Sequence, residues 1–303
     1  MKFQGFREWL VLNEGGGAIP SSRSMTWEEA QEVYDWVKKT IVPELGISEE
    51  DVDVIGSYGK KLAGETHGDL DIVISAKALM KKNGLIQDQL LDFINDILFE
   101  LGFETKKMVG FKQVSFGAPI PETDDIAQVD FMLSSDLDWS RFVYHSPDFR
   151  KGESRYKGSY RNTLLMAIIT ETSKEILKQT PEGDVEELES NVIRYPEGIW
   201  KSRRSWAGKK GLIKTPKLLK DFDKLITTNP QEVANLVAGP GYKPEDILTF
   251  EGLWSIVVDP NYIYADKIED IMKKYAGNLR VQEMPYPQEA IEAFPKIFVE
   301  DEG

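Results

Sequence analysis

The stretch Asp69-Leu70-Asp71-Ile72-Val73-Ile74 decides how this chain reads. Its apolar run predicts a strand, and strand alternation sends Asp69 and Asp71 to one face and Leu70 and Ile72 to the other. Two carboxylates side by side on one face repel each other unless a cation lies between them. Hard oxygen donors of this kind suit magnesium, which is usually held by one or two carboxylates and completed by substrate phosphates.

Upstream, Val52-Asp53-Val54-Ile55 predicts a short strand, and Gly56-Ser57-Tyr58-Gly59-Lys60-Lys61 a turn that opens a helix. A helix start there would cradle phosphate. Gly56 allows close backbone approach, Ser57 caps the helix and offers its hydroxyl, and Lys60 and Lys61 add charge. No G-x-x-x-x-G-K-[ST] loop and no dinucleotide fingerprint occurs in this stretch. Downstream, Gln128-Val129-Asp130-Phe131-Met132-Leu133 predicts another strand, with Ala127, Val129, Phe131 and Leu133 on its apolar face and Asp130 opposite. Asp124 and Asp125 fall in the loop before it. A Gly-Ser pair alone is usually a turn, and a lone Asp-x-Asp a solvated strand end. Their order, with a third strand aspartate to follow, favours a site.

Gly56-Ser57, then Asp69-Leu70-Asp71, then Asp130 resembles the DNA polymerase β-like nucleotidyltransferases, over about residues 50 to 135. Where many members carry an arginine after Gly-Ser and a serine before the first aspartate, this chain has Lys60 or Lys61 and Gly68. A lysine meets phosphate as a point charge, without the bidentate fork of arginine. Over the whole chain, Phe6-Arg7-Glu8-Trp9-Leu10 to Glu14-Gly15-Gly16 and Tyr156-Lys157-Gly158 are similar to nucleotidyltransferase-like proteins of tailed bacteriophages.

The resemblance implies an α+β fold, a nucleotidyltransferase-type mixed β-sheet with flanking helices, followed by a mostly helical domain. It implies transfer of a nucleoside monophosphate from an NTP to an acceptor hydroxyl, with Asp69, Asp71 and Asp130 as metal ligands for two Mg2+ ions, or Mn2+. Asp130 is then the natural general base. Tyr156, Lys157 and Arg161, with Arg155 nearby, become candidates for triphosphate or base contact, set against a capped surface helix whose arginine is merely solvated. The rival reading is a phage-associated nucleotide- or nucleic-acid-binding protein that kept the fold and lost catalysis.

Composition sets the outer limits. The 303 residues suffice for two domains, and 41% hydrophobic with 29% charged residues argues against disorder. No apolar run reaches membrane-spanning length and no secretory signal is evident, so a cytoplasmic protein without a membrane partner is expected. With no cysteine, and His67 and His145 as the only histidines, thiolate and histidine-rich metal centres are excluded. His67 stands just before the aspartates but is expected to be incidental.

The net charge of −14 is unevenly spread. From Asn191 to Lys220 the sign reverses: Arg194, Lys201, Arg203, Arg204, Lys209, Lys210, Lys214, Lys217 and Lys220 stand against Glu197, with Trp200 and Trp206 interleaved. Such a segment could follow a phosphate backbone and stack bases of an RNA or tRNA acceptor. Equally, it could be a solvated loop or hairpin with inward tryptophans, helped by arginine stems; a protein acceptor also stays open.

Local signals fill in the rest. Glu14 to Ser22 reads as a loop, Thr26 as an N-cap with Glu29 completing a capping box, and the helix runs to Pro43. A helix is expected over 85–101, hairpin strands over 103–109 and 111–116, and a linker between Tyr144 and Gly152 that separates domains 1–145 and 146–303. Beyond it, helices are expected over 161–178, 216–226, 230–238, 244–258 and 266–275. Residues 180–190 read as an acidic loop or short helix, and the tail from Met284 as extended.

Overall fold

The computed structural model describes residues 17–62, 64–179, 185–205, 217–218 and 223–299. Outside them lie the Phe6 to Gly16 stretch, Trp206, Lys209, Lys210, Lys214, Lys220, residues 180–184 and the acidic end after Val299. The chain divides into two compact units, Met1–Arg155 and Tyr156–Gly303. Residues 146–152, expected as linker, belong to the first, where the Phe149 N–H donates to the Lys60 carbonyl at 3.0 Å.

In the first unit, helix α1 (Trp27–Glu44) starts on the expected capping box, with Glu29 N–H donating to Thr26 Oγ1 at 3.2 Å and Thr26 N–H to Glu29 Oε2 at 2.8 Å. Strands β1 (Val52–Val54) and β2 (Asp69–Ser75) follow, then helices α2 (Ala76–Asn83) and α3 (Leu90–Glu100). The hairpin β3 (Thr105–Met108) and β4 (Gln113–Pro119) leads to β5 (Ile126–Ser134) and α4 (Leu137–Val143). The five strands form one mixed sheet in the order β1-β2-β5-β4-β3, in which only β2 and β5 run parallel.

Alternation gives this sheet two unlike faces. One carries Leu70, Ile72, Ile74, Val114, Phe116, Val129, Phe131 and Leu133 against Val33, Val37 and Ile41 of α1 and Leu90, Ile94 and Leu98 of α3. That apolar burial, at about 25 cal/mol per Å2, holds the unit together. On the opposite face a small cluster of Ile55, Val73 and Met132 is packed by Leu137 and Tyr144. Asp69, Asp71 and Asp130 share that second face by alternation.

The second unit contains helices α5 (Gly158–Thr172), α6 (Pro230–Ala238), α7 (Phe250–Val257), α8 (Ile268–Val281), α9 (Gln288–Ala293) and α10 (Pro295–Phe298). Helix α5 packs on α7 and α8, and its buried residues include Arg161. The segments 175–179, 185–194, 198–205, 217–218 and 224–227 form a sheet, of which sequence reading offered only a hairpin in the basic segment, as one of two alternatives. These are β6 (Glu175–Gln179), β7 (Val185–Arg194), β8 (Gly198–Ser205), β9 (Lys217–Leu218) and β10 (Lys224–Thr227), all antiparallel.

Several expectations are thereby corrected. The helix expected to continue to Lys178 ends at Thr172, the acidic stretch is strand from Val185, and the described residues of the helix expected over 216–226 fall in β9 and β10 or just before β10. The tail is not extended: Pro287 stands at the N-cap of α9, and Pro295 opens α10, positions where a missing N–H costs nothing. The stretch around Ala18 and Ile19 is a loop, as expected, and both residues are buried.

Candidate metal centre

Parallel pairing of β2 with β5 sets Asp69 opposite Gln128 and Asp71 opposite Asp130. One carboxylate oxygen from each of Asp69, Asp71 and Asp130 lies within 4.8 Å of the others. Asp69 and Asp71 are partly exposed, whereas Asp130 is buried. At that separation each ionised pair repels by on the order of 3 kcal/mol for an effective dielectric near 20.

The electrostatic consequence is direct. Burial, then Asp69, pushes the Asp130 carboxyl up to about 7, against the pull of hydrogen bonds from Ser115, Gln128 and Gln113. Burial, then Asp69 and Asp130, raises Asp71 well above the carboxylate range, and the charge of Lys61 opposes this. Such a set fits a hard divalent cation: the donors are all oxygen, the charge calls for neutralisation, and the two partly exposed aspartates leave an open side for water or phosphate.

Gly56 builds the neighbouring corner. Ile55 N–H donates to the Asp71 carbonyl at 3.0 Å, extending the β1–β2 ladder, and a parallel bridge joins Gly56 to His145. Gly56 has φ +67°, and a Cβ there would stand 2.8 Å from Asp71 Oδ2. The expected helix after it is absent. Lys60 N–H donates to the Ser57 carbonyl at 3.0 Å in a single turn, and Gly59 at φ +66° reverses the chain before a second turn can form. Any phosphate donors here are those of a turn, without a helix dipole behind them.

The remaining expected residues are distributed as follows. Lys61 Nζ donates to the Thr66 carbonyl at 2.8 Å, and its charge acts on Asp71. Lys60 is partly buried, and burial lowers its pKa while Glu153, Asp148 and Asp53 raise it. His67 is buried in a bridge with Met25 and tilted against Tyr58, consistent with a packing role. In the second unit, Tyr156 packs edge-on to Phe250 and hydrogen-bonds Glu289, and Lys157 is exposed at the N-cap of α5.

Arg161 corrects its sequence reading outright. It is fully buried, donates through Nε to the Ile247 carbonyl at 2.8 Å and through Nη1 to Asn162 Oδ1 at 2.6 Å, and burial lowers its pKa to about 9. A head enclosed this way ties α5 to the Ile247 turn instead of meeting a triphosphate.

Much of the described basic segment is internally neutralised. Arg203 Nε pairs with Glu187 at 2.7 Å, Lys201 pairs with Glu189, and Arg194 pairs with Asp223 while its guanidinium lies 4.7 Å from the Trp200 ring centroid. The antiparallel β7–β8 ladder thus sets the acidic stretch against the basic one.

Sequence reading missed Gln113, Ser115 and Gln128, the side chains that surround Asp130. The signal was present: Gln128 is two residues from Asp130 on one strand face, and Gln113 and Ser115 are the polar positions alternating with Val114 and Phe116.

No known protein family matches the sequence, and no curated protein does. Among solved structures, the chain is similar to Leishmania infantum polymerase beta, solved as a ternary P/T complex, with TM-score 0.41 and 13% identity over 79% of this chain and 87% of that one. A likeness at this level assigns no activity. No helix among the described residues is long and apolar enough to cross a membrane.

Proposed function

We propose that the first unit is the catalytic part of a metal-dependent nucleotidyltransferase, which moves a nucleoside monophosphate from an NTP to an acceptor hydroxyl and releases pyrophosphate. The observation that supports it is the convergence of Asp69, Asp71 and Asp130 on one face of the sheet, with ligand atoms within 4.8 Å. A divalent cation held by these three, Mg2+ or Mn2+, would polarise the phosphate oxygens and ease deprotonation of the acceptor.

The chain's own groups have separable tasks. Asp130, buried beside Asp69 on the same sheet face, would serve both as a cation ligand and as the acceptor for the proton of the attacking hydroxyl. The acceptor oxygen then bonds to the α-phosphorus as the bond to the bridging oxygen breaks, and pyrophosphate leaves with that electron pair. Ser57, the turn amides after Gly56, and Lys61 are the groups proposed to meet the leaving charge, because prearranged donors must stand where charge accumulates. Gly56 keeps the backbone close to Asp71 without a side chain filling the gap.

Wild type and an Asp69→Ala, Asp71→Ala double variant, incubated with each α-labelled NTP, Mg2+ and a cell extract, test the reading. Label transfer by wild type alone supports it, and the size of the labelled product distinguishes an RNA, protein or small-molecule acceptor. Absence of transfer by wild type, with NTP still bound, favours the catalytically inactive alternative.

A further inference from the structure

Asp130 is held by a side chain that is itself held from elsewhere in the chain. Gln128 Nε2 donates to Asp130 Oδ1 at 3.0 Å and lies 3.2 Å from Oδ2, while Gln128 Oε1 accepts from the Ala18 N–H at 2.8 Å and the Ile19 N–H at 3.1 Å. Gln128 is 1% exposed, so none of these bonds is exchanged for water at leisure. The amide orientation follows from the partners. Backbone N–H groups can only donate and a carboxylate can only accept, so a flipped amide would face repulsion at both ends.

The segment that supplies the two amides is seated on the same sheet face. A Cβ at Gly117 would clash with Ile126 Cγ2 at 2.8 Å and reach Ile19 Cγ2 at 3.4 Å, so Ile19 lies directly over the bare glycine beside Ile126. Farther along, Arg23 N–H donates to the Ile126 carbonyl at 2.9 Å, and Arg23 pairs with Asp125 at 2.6 Å and with Glu29 at 2.7 Å.

We propose that Gln128 is a positioning residue that couples the seating of the Ala18–Ile19 segment to cation binding at Asp69, Asp71 and Asp130. The inference rests on the metal reading of those aspartates. With the segment seated, Gln128 fixes the plane of the Asp130 carboxylate; with the segment lifted, Oε1 loses both donors and the amide no longer has one preferred orientation. Coupling of this kind is reciprocal, so cation binding must hold the segment down by the same factor. Partners that orient metal ligands commonly contribute ten- to a hundredfold in affinity, which sets the expected scale at about tenfold.

Two near-isosteric variants of the full-length protein separate positioning from packing. Gln128→Met keeps the volume and removes both interactions, so Mn2+ should bind about tenfold more weakly by calorimetry. Gln128→Glu keeps the acceptor for Ala18 and Ile19 but aims a carboxylate at Asp130, so Mn2+ should bind more tightly than in wild type. A filler of space would leave Gln128→Met at the wild-type affinity. Hydrogen exchange at the Ala18 and Ile19 amides should slow when Mg2+ is added to wild type and be insensitive to Mg2+ in Gln128→Met. Wild-type Mn2+ affinity in both variants overturns the proposal and leaves the metal reading standing; should Gln128→Met fail to fold, unchanged affinity in Gln128→Glu does the same. No Mn2+ binding by wild type overturns both.

Discussion

Gly56 and Asp71 share a space that only one of them can fill: a Cβ on Gly56 would lie 2.8 Å from Asp71 Oδ2, at a backbone φ of +67°. Gly56→Ala therefore meets two penalties together. The left-handed conformation costs an L-residue about 1–2 kcal/mol, and the methyl must displace the Asp71 carboxylate. Chemical denaturation should show a loss of at least about 1 kcal/mol, and Mn2+ affinity should fall with it.

Neutralising one aspartate should relieve the metal-free protein. Asp71 is raised by burial and by Asp69 and Asp130, so its ionised form is the strained one. Asp71→Asn is expected to raise the melting temperature in EDTA at pH 8 while abolishing Mn2+ binding. A lower melting temperature in EDTA would contradict the repulsion described for the site.

The pH dependence has a definite sign. Asp130 stands at about 7 in the folded chain against 3.8 in its ordinary state, so between those values the native protein holds a proton that the unfolded chain has released. Stability contributed by this group is thus greatest on the acid side and falls as pH rises from about 4 through about 7. Thermal melts in EDTA across pH 5.5 to 8 should show this fall, and Mn2+ affinity should rise across the same interval, because the cation competes with the proton.

Glu29 acts in the opposite direction. Arg23 and the Thr26 N–H hold its carboxyl down at about 2, so the stability it brings is present above its ordinary 4.5 and is lost as pH falls toward 2. Thr26→Ala removes the cap at the start of α1 and should cost about 1 kcal/mol in denaturant titration at neutral pH.

What was legible in the sequence is what alternation and end-signals control. Asp69, Asp71 and Asp130 could be placed on strand faces because Leu70, Ile72, Val129 and Phe131 mark the opposite ones. Thr26 and Glu29 announced α1, and Asn229-Pro230 announced α6, which spans Pro230–Ala238 as expected. The second sheet was hidden because Glu187, Glu189, Lys201 and Arg203 stabilise it by cross-strand ion pairs, leaving a charge pattern that reads as solvated. Arg161 was hidden for a related reason: its burial depends on a carbonyl 86 residues away, which no local pattern encodes. The turn after Gly56 turned on one torsion, that of Gly59.

The parallel pairing that sets Asp71 against Asp130 joins residues about sixty positions apart, with two helices and a hairpin between them. Such a pair closes only after the intervening loop entropy has been overcome. No partly folded segment owns all three aspartates, so a cation bound there would act as a lock fitted after assembly and not as a seed for it. Its grip is expected to be felt in how slowly the finished sheet comes apart, with little influence on how fast the sheet forms.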